Sequence, residues 1–515
     1  MTSLETFVHQ PFKNEVIHRI YRESFLYMRP APEVANGEQV LASLYRHVGF
    51  NGVSEKMVPI NGRKLQKHLL PNLNKQDNDA ENTDKHLTKD NFHNLISNLI
   101  SSPKLPNQSG KRFLQIGPIV PDAAVYSLSP RLGGNPWNPG ALIASMVCFG
   151  SSEISGALEV WKDIFSNLTV TSDDDPWARI LQDEFSHFRP EAVEGNWEAP
   201  KKIPNQDSLN TGLLGLSSPA ARFVKDLKAI MSIKKQVTRR QWISMFEAVL
   251  RIGSAAHILW LCEVNRRCLD VLETAVKEER MFTSEELIEK FSSVSYWGLN
   301  QPTNKVIEEF SREFLRARVG INLLLYFVSE IESLAGENLS SIDELSKLSE
   351  VLSKLGSNFD FKKYDQQLGE IVESNHKSFS CKSGIPKNIL EFVGHVLRRR
   401  ETAENGMKSY DQGYFVKRKG GKKSVWITGF GPVAAMALVY SCTFNRSGTC
   451  NIADLRNHLS EYGFAISVSD LVEGETGSLL RNLGLVLDSP DAEGGMILKP
   501  PFRDDKSNLR EADVS

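Results

Sequence analysis

What most restricts the fold of this chain is a succession of apolar residues at three- and four-residue spacing, running from about residue 219 to about residue 397. Phe223, Val224, Leu227, Ile230 and Met231 make one such stripe, and only an α-helix gathers that spacing onto a single face. Start and stop signals agree with the period. Ser341 with Glu344 and Thr283 with Glu286 have capping-box spacing, in which a hydroxyl and a carboxylate satisfy two open amides at a helix start. The stripe Ile342, Leu345, Leu348, Leu352 and Leu355 then ends at Gly356, a residue suited to the left-handed position after a helix. The region is expected to be a helical bundle, and no fixed repeat marks it as a solenoid.

At 515 residues the chain exceeds one ordinary core, and domains of roughly 100–200 residues would make about three. Residues 72–90 (NLNKQDNDAENTDKHLTKD) lack large apolar groups and read as a solvated loop. A second polar passage, residues 193–212, carries Pro200 and Pro204. The Gly/Pro-rich residues 131–140 read as a structured loop before a helix at 141–149. These boundaries predict an N-terminal segment (1–72), a mainly helical domain (91–195), a helical bundle (213–405), a C-terminal module (406–503) and a tail (504–515).

Cys148, Cys262, Cys268, Cys381, Cys442 and Cys450 are scattered without a Cys-x-x-Cys pair, which fits reduced thiols rather than a zinc ribbon or a secreted disulfide scaffold. The first fourteen residues mix Glu5, His9, Pro11 and Lys13 with apolar ones and do not read as a secretory signal. The uninterrupted apolar runs at 320–328 and 433–440 are too short to span a bilayer. A cytoplasmic protein without membrane contact is expected.

The 61 Lys and Arg nearly balance the 63 Asp and Glu, so any polyanion contact must come from local charge. Such a concentration exists. Over residues 391–430 nine basic side chains (Arg398, Arg399, Arg400, Lys408, Lys417, Arg418, Lys419, Lys422 and Lys423) face four acidic ones, a local balance of +5. The last five lie in two β-prone runs joined through Gly420-Gly421, a hairpin signal that would put cations at the tip. Lysines also protect an edge strand from aggregation. Further basic positions, Lys234, Lys235, Arg239 and Arg240 beside Trp242, Arg266-Arg267, and Arg312, Arg316 and Arg318, read as solvated helix faces.

Downstream, residues 432–444, 451–462 (ending at Gly463) and 469–482 (ending at Gly484) read as three helices, and residues 485–499 as two strands around a polar turn. Helix, helix, helix, hairpin over about 70 residues resembles the winged-helix superfamily. The resemblance covers residues 430–503 and implies a nucleic-acid or protein contact module. Its third helix begins with Asp470, Glu473 and Glu475, carboxylates that would repel phosphates, and Arg481 is its one cation. The fold class expected for the whole chain is mainly α, multi-domain, with a C-terminal basic β-hairpin and a winged-helix-like domain.

Catalytic signatures are sparse. The Gly-Lys steps at 110–111 and 421–422 lack the spacing of a phosphate-binding loop. Asp226/Lys228 and Asp360/Lys362 have the Asp-x-Lys form found in metal-dependent nucleases, but they fall on an ordinary helix and a polar connection. Asp173, Asp174, Asp175, Asp183 and His187 could meet around a helix at 176–187 as a metal pocket; the plainer reading is that the aspartates cap that helix. Glu184/His187 and Glu373/His376 share the Glu-x-x-His spacing of di-iron bundles, at a frequency chance explains. No metal and no cofactor are expected.

These features point to an accessory or scaffold subunit of a multi-component nucleic-acid-processing system. It would bind duplex DNA through residues 398–423 with Arg481, and offer its helical body to other protein subunits such as a helicase or nuclease. The layout looks like accessory proteins of bacterial anti-phage (antiviral) defence. Two alternatives stay open: a metal-dependent nuclease centred on residues 173–187, and a winged-helix adaptor that contacts protein only.

Overall fold

The structure is a computed structural model. It describes residues 4–28, 34–50, 117–126, 138–187, 196–204, 216–292, 294–298, 301–331, 333–334, 336–403, 408–420, 424–488 and 496–502. The expected loop at 72–90 and the tail at 504–515 lie outside the described residues, as does most of the loop at 131–140.

Helices account for most of what is described. They are α1 (Leu4–His9), α2 (Arg19–Arg22), α3 (Gly37–Gly49), α4 (Pro121–Tyr126), α5 (Pro139–Gly150), α6 (Ile154–Leu168) and α7 (Pro176–His187). Next come α8 (Pro219–Ser232), α9 (Arg239–Lys277), α10 (Ser284–Ser292), α11 (Thr303–Ile331), α12 (Ile342–Ser353), α13 (Phe361–Ser374), α14 (His376–Phe379) and α15 (Gly384–Leu397). Four short strands follow: β1 (Glu401–Ala403), β2 (Lys408–Tyr410), β3 (Val416–Arg418) and β4 (Trp426–Thr428). The chain then gives α16 (Pro432–Thr443), α17 (Ile452–Ser460), α18 (Val468–Glu473), α19 (Glu475–Asn482), β5 (Val486–Asp488) and β6 (Met496–Leu498). The strands form three two-stranded antiparallel ladders, β1–β2, β3–β4 and β5–β6.

α9 organises the packing. Its 39 residues make a rod about 58 Å long, and from Trp242 to Asn265 nearly every side chain is buried, polar ones included. A helix buried on all sides belongs at the centre of a large protein. Helices α3, α5, α8, α11, α12, α15 and α16 surround it. Among the described residues it is the one helix long and apolar enough to cross a membrane, and its apolar window is wholly covered by protein. Buried apolar residues from Leu4 to Leu498 belong to one continuous cluster, so segments on either side of residue 405 are packed together.

The periodic stripes fall where their spacing puts them: Phe223, Val224, Leu227, Ile230 and Met231 are buried on α8, and Ile342, Leu345, Leu348 and Leu352 on α12. Thr283 and Glu286 form the reciprocal box at the start of α10. At α12 half of the expected box is redirected. Ser341 Oγ accepts the Glu344 amide at 3.1 Å, but the Glu344 carboxylate takes the Ser340 N–H at 2.9 Å instead of the Ser341 amide. Gly356, Gly463 and Gly484 take positive φ (+46°, +82° and +66°) at helix ends, as their positions require.

The expected third helix of the C-terminal module is corrected by the geometry. The single helix expected at 469–482 is two, α18 and α19, with Gly474 extended between them. The corner is tight because Gly477 backs onto α18, where a Cβ would stand 2.2 Å from the Val472 carbonyl oxygen. The arms of the expected hairpin are β3 and β4: Arg418 pairs with Trp426 and the Lys419 N–H reaches the Val425 carbonyl. Gly420 follows in a bend, its amide donating to Ser424 Oγ at 2.9 Å, and Gly421 lies outside the described residues.

The C-terminal elements are fastened to the body by buried polar groups. Asp226 on α8, fully buried, receives the Arg222 guanidinium at 2.7 Å on one oxygen. Its other oxygen meets His458 Nε2 at 3.0 Å and the Tyr462 hydroxyl at 2.9 Å. The Tyr296 and Trp297 amides both donate to the Gly463 carbonyl. At the other end of α9, Arg239 is buried where a solvated cation was expected. Its guanidinium joins Asp174 at 2.9 Å, the Tyr45 hydroxyl at 3.2 Å and the Ile119 carbonyl at 2.7 Å, and its neighbour Arg240 is exposed.

Candidate nucleic-acid interface

The three arginines after α15 are woven into the fold rather than projected from it. The Phe415 amide donates to the Leu397 carbonyl, the Arg399 amide to the Val416 carbonyl, and the Asp411 amide to the Arg400 carbonyl, so residues 397–400 run as an extra strand beside β3. Arg251 of α9 holds this strap from below. Its Nε donates to the Val396 carbonyl at 2.6 Å, one terminal nitrogen to Asp411 at 2.7 Å, and the other to the Arg398 carbonyl at 3.1 Å. Arg251 and Asp411 are both buried, and a buried guanidinium satisfied by a carboxylate and two carbonyls is a fixed anchor.

Above the strap, the Arg398 and Arg418 guanidiniums each lie 4.8 Å from the centroid of the Trp426 indole, within the range of cation–π attraction. Arg398 also donates to Asn304 Oδ1 at 2.8 Å. Among the described residues neither arginine has a carboxylate within ion-pair distance. Burial, then the like charges of Arg418 and Arg400, push the Arg398 guanidinium down to about 10. Burial and the charges of Arg398 and Arg400 likewise bring His395 down to about 4, so it is neutral at pH 7. A site that disfavours its own positive charge is one an anion would relieve. Lys419, next on the arm, is exposed.

The other expected contact residues are placed differently. Arg399 lies over the Tyr414 ring at 5.7 Å. Arg400 turns inward toward Asp411, Glu38 and Glu247, and burial lowers its affinity for a proton. Lys417 is ion-paired with Glu475 across the hairpin base. Arg481 is tied to Asp488 at 3.1 Å and to the Val472 carbonyl at 2.9 Å, away from the start of its helix. Lys408 is on β2, but its side chain, with Lys422 and Lys423, lies outside the described residues. The elements thus bring together the half-buried Arg398 and Arg418 with exposed Lys419; Arg400, Lys417 and Arg481 are directed to acidic partners within the fold.

The remaining basic clusters are largely neutralised. Lys234 meets Asp174 at 3.2 Å and Lys235 meets Asp173 at 3.0 Å, and Arg266 and Arg267 share Glu263. Arg318 is buried, over the Tyr27 ring, while Arg312 and Arg316 share an exposed face of α11 one turn apart. The same contacts describe the acidic group at 173–175. Asp174 is spent on Arg239 and Lys234, and Asp175 caps α7 by accepting the Ala178 amide at 3.1 Å. Glu373 and His376 are exposed on separate helices, and the side chains of Glu184 and His187 lie outside the described residues. No cluster of three or more potential metal-ligating side chains occurs among the described residues.

Sequence spacing missed Arg251, the buried charge that holds the strap, and offered Asp226 only as half of an Asp-x-Lys step, whereas it fastens α8 to His458 and Tyr462. Arg222 and Asp226, one turn apart on the face of α8 that carries Phe223 and Leu227, were the available signal. Set against known proteins, the chain matches no family model, no curated protein and no solved structure.

Proposed function

We propose that this protein binds duplex DNA without sequence preference through the β3–β4 hairpin and the 397–400 strap, as an accessory subunit whose helical body docks other proteins of a nucleic-acid-processing system. The observation that carries the reading is the pair Arg398 and Arg418, both 4.8 Å from the centroid of the Trp426 indole, cations without a carboxylate partner among the described residues and next to exposed Lys419. Phosphate oxygens are the complement such guanidiniums lack. The order α16, α17, α18–α19, β5–β6 supports a winged-helix-like reading of residues 430–503. Its α18–α19 corner exposes Asp470, Glu473 and Glu475, so the run of backbone phosphates is assigned to the hairpin and strap rather than to the exposed face of that corner.

The test is a gel-shift titration of two unrelated 25-base-pair duplexes with the wild-type chain and with R418A/K419A/K422A/K423A. The variant is expected to bind both duplexes about tenfold to a hundredfold more weakly, by the same factor for each, since phosphate contacts carry no sequence information. Unchanged affinity in the variant would remove the hairpin from the interface.

A further inference from the structure

Beside the hairpin base, a recess of about 220 Å³ opens between β3–β4 and the α18–α19 corner. Lys417, Thr428, Gly429, Gly474, Glu475 and Thr476 are among its walls. Resting on the DNA-binding reading above, we propose that this recess is a subsite for a single phosphate group, which Glu475 holds in reserve by pairing with Lys417.

Three observations converge on an acceptor-only ligand. Thr428 lines the recess and is 3% exposed, and its hydroxyl, closed to water, has no hydrogen-bond partner among the described residues. A buried hydroxyl left unsatisfied is costly, and a turn of the side chain toward the recess would let an arriving oxygen satisfy it. The residue before α19 is Gly474, which has no side chain with which to cap the first amides. The open N–H groups and positive end of the helix are therefore available where Gly474, Glu475 and Thr476 line the wall. Lys417 supplies the ammonium, and its stem crosses Gly429 so closely that a Cβ there would stand 2.9 Å from Lys417 Cε.

Two carboxylates border the site and have to be accounted for. Asp470 is engaged by the Ser467 amide and hydroxyl as the cap of α18. Glu475 has a side chain 79% exposed and its carboxylate rests on the Lys417 ammonium. That carboxylate already holds Lys417 as an incoming anion would, and its exposure lets it swing into water when a phosphate competes. The donors, an ammonium, a hydroxyl and helix amides, suit either a polynucleotide phosphate or free inorganic phosphate.

The experiment compares wild-type protein, E475Q and T428V in fluorescence-anisotropy titrations with a labelled 20-base-pair duplex and in thermal melts with inorganic phosphate. E475Q should tighten duplex binding about threefold by freeing Lys417, and T428V should weaken it about tenfold by removing a hydrogen bond to a charged group. T428V is nearly isosteric and loses no internal partner, so its melting temperature without phosphate should not fall. If the wild type binds duplex and neither variant differs from it, the recess is overturned and the hairpin interface stands. If the wild type does not bind duplex but inorganic phosphate stabilises it and fails to stabilise T428V, the recess stands as a free-phosphate site and the DNA reading falls. If neither duplex nor phosphate binds, both fall.

Discussion

Asp226→Ala is expected to cost the fold about 3–5 kcal/mol, the usual result of removing one partner from a buried charge network. The substitution leaves Arg222, His458 and the Tyr462 hydroxyl facing a cavity, and it cuts the polar fastening between α8 and α17. The loss should be read as a lower urea midpoint, followed by tryptophan fluorescence. It should also depend on pH. Burial alone would raise the Asp226 carboxyl, but the facing His458, Arg222 and Tyr462 outweigh burial and hold it below the ordinary carboxylate value. A group with a depressed folded value contributes stability that is fully present above its unfolded value, about 3.9, and is lost as pH falls through the folded one. The gap between wild type and variant should therefore be constant near neutrality and close on acidification below about pH 4. A gap that closes on raising the pH would contradict this assignment.

Arg251→Met should destabilise by a similar amount, about 3–5 kcal/mol, with a more local consequence. The guanidinium that binds Asp411 also holds the carbonyls of Val396 and Arg398. Methionine keeps the apolar stem of the side chain and discards all three bonds. Amide hydrogen exchange should then accelerate at residues 397–400 and 411–418, more than along α11, and duplex affinity should drop because Arg398 loses the backbone anchor that sets it against Trp426. Stability lost uniformly, with exchange in the strap no faster than elsewhere, would show that Arg251 is merely a core residue.

Local pattern made the helices, several caps and the hairpin arms legible, because each depends on contacts within about four residues along the chain. Partners far apart in sequence were not legible. Asp226 reads as a polar residue on an amphipathic helix; what commits it is His458, 232 residues away. Arg239 and Arg240 are adjacent and alike in type, yet one is buried and the other exposed, because only Arg239 falls on the side of α9 facing Asp174 and Tyr45. The concentration of cations at 398–423 was visible as composition, but composition does not distinguish Arg398 and Arg418, beside Trp426 and without a carboxylate partner among the described residues, from Arg400, turned inward, or from Arg481, tied to Asp488. Gly474 and Gly477 within one expected helix were a warning that it breaks, and the close approach of Gly477 to Val472 supplies the reason.

The most direct measurement of the central claim is the salt dependence of duplex binding by the wild-type chain and by R398Q/R418A/K419A. If these three cations contact phosphates, the plot of log K against log salt for the wild type should be steep and linear, and the variant's slope should be smaller by about three, one for each cation removed. Equal slopes in the two proteins, or no duplex binding by the wild type at low salt, would contradict the assignment of this hairpin and strap as a phosphate-binding interface.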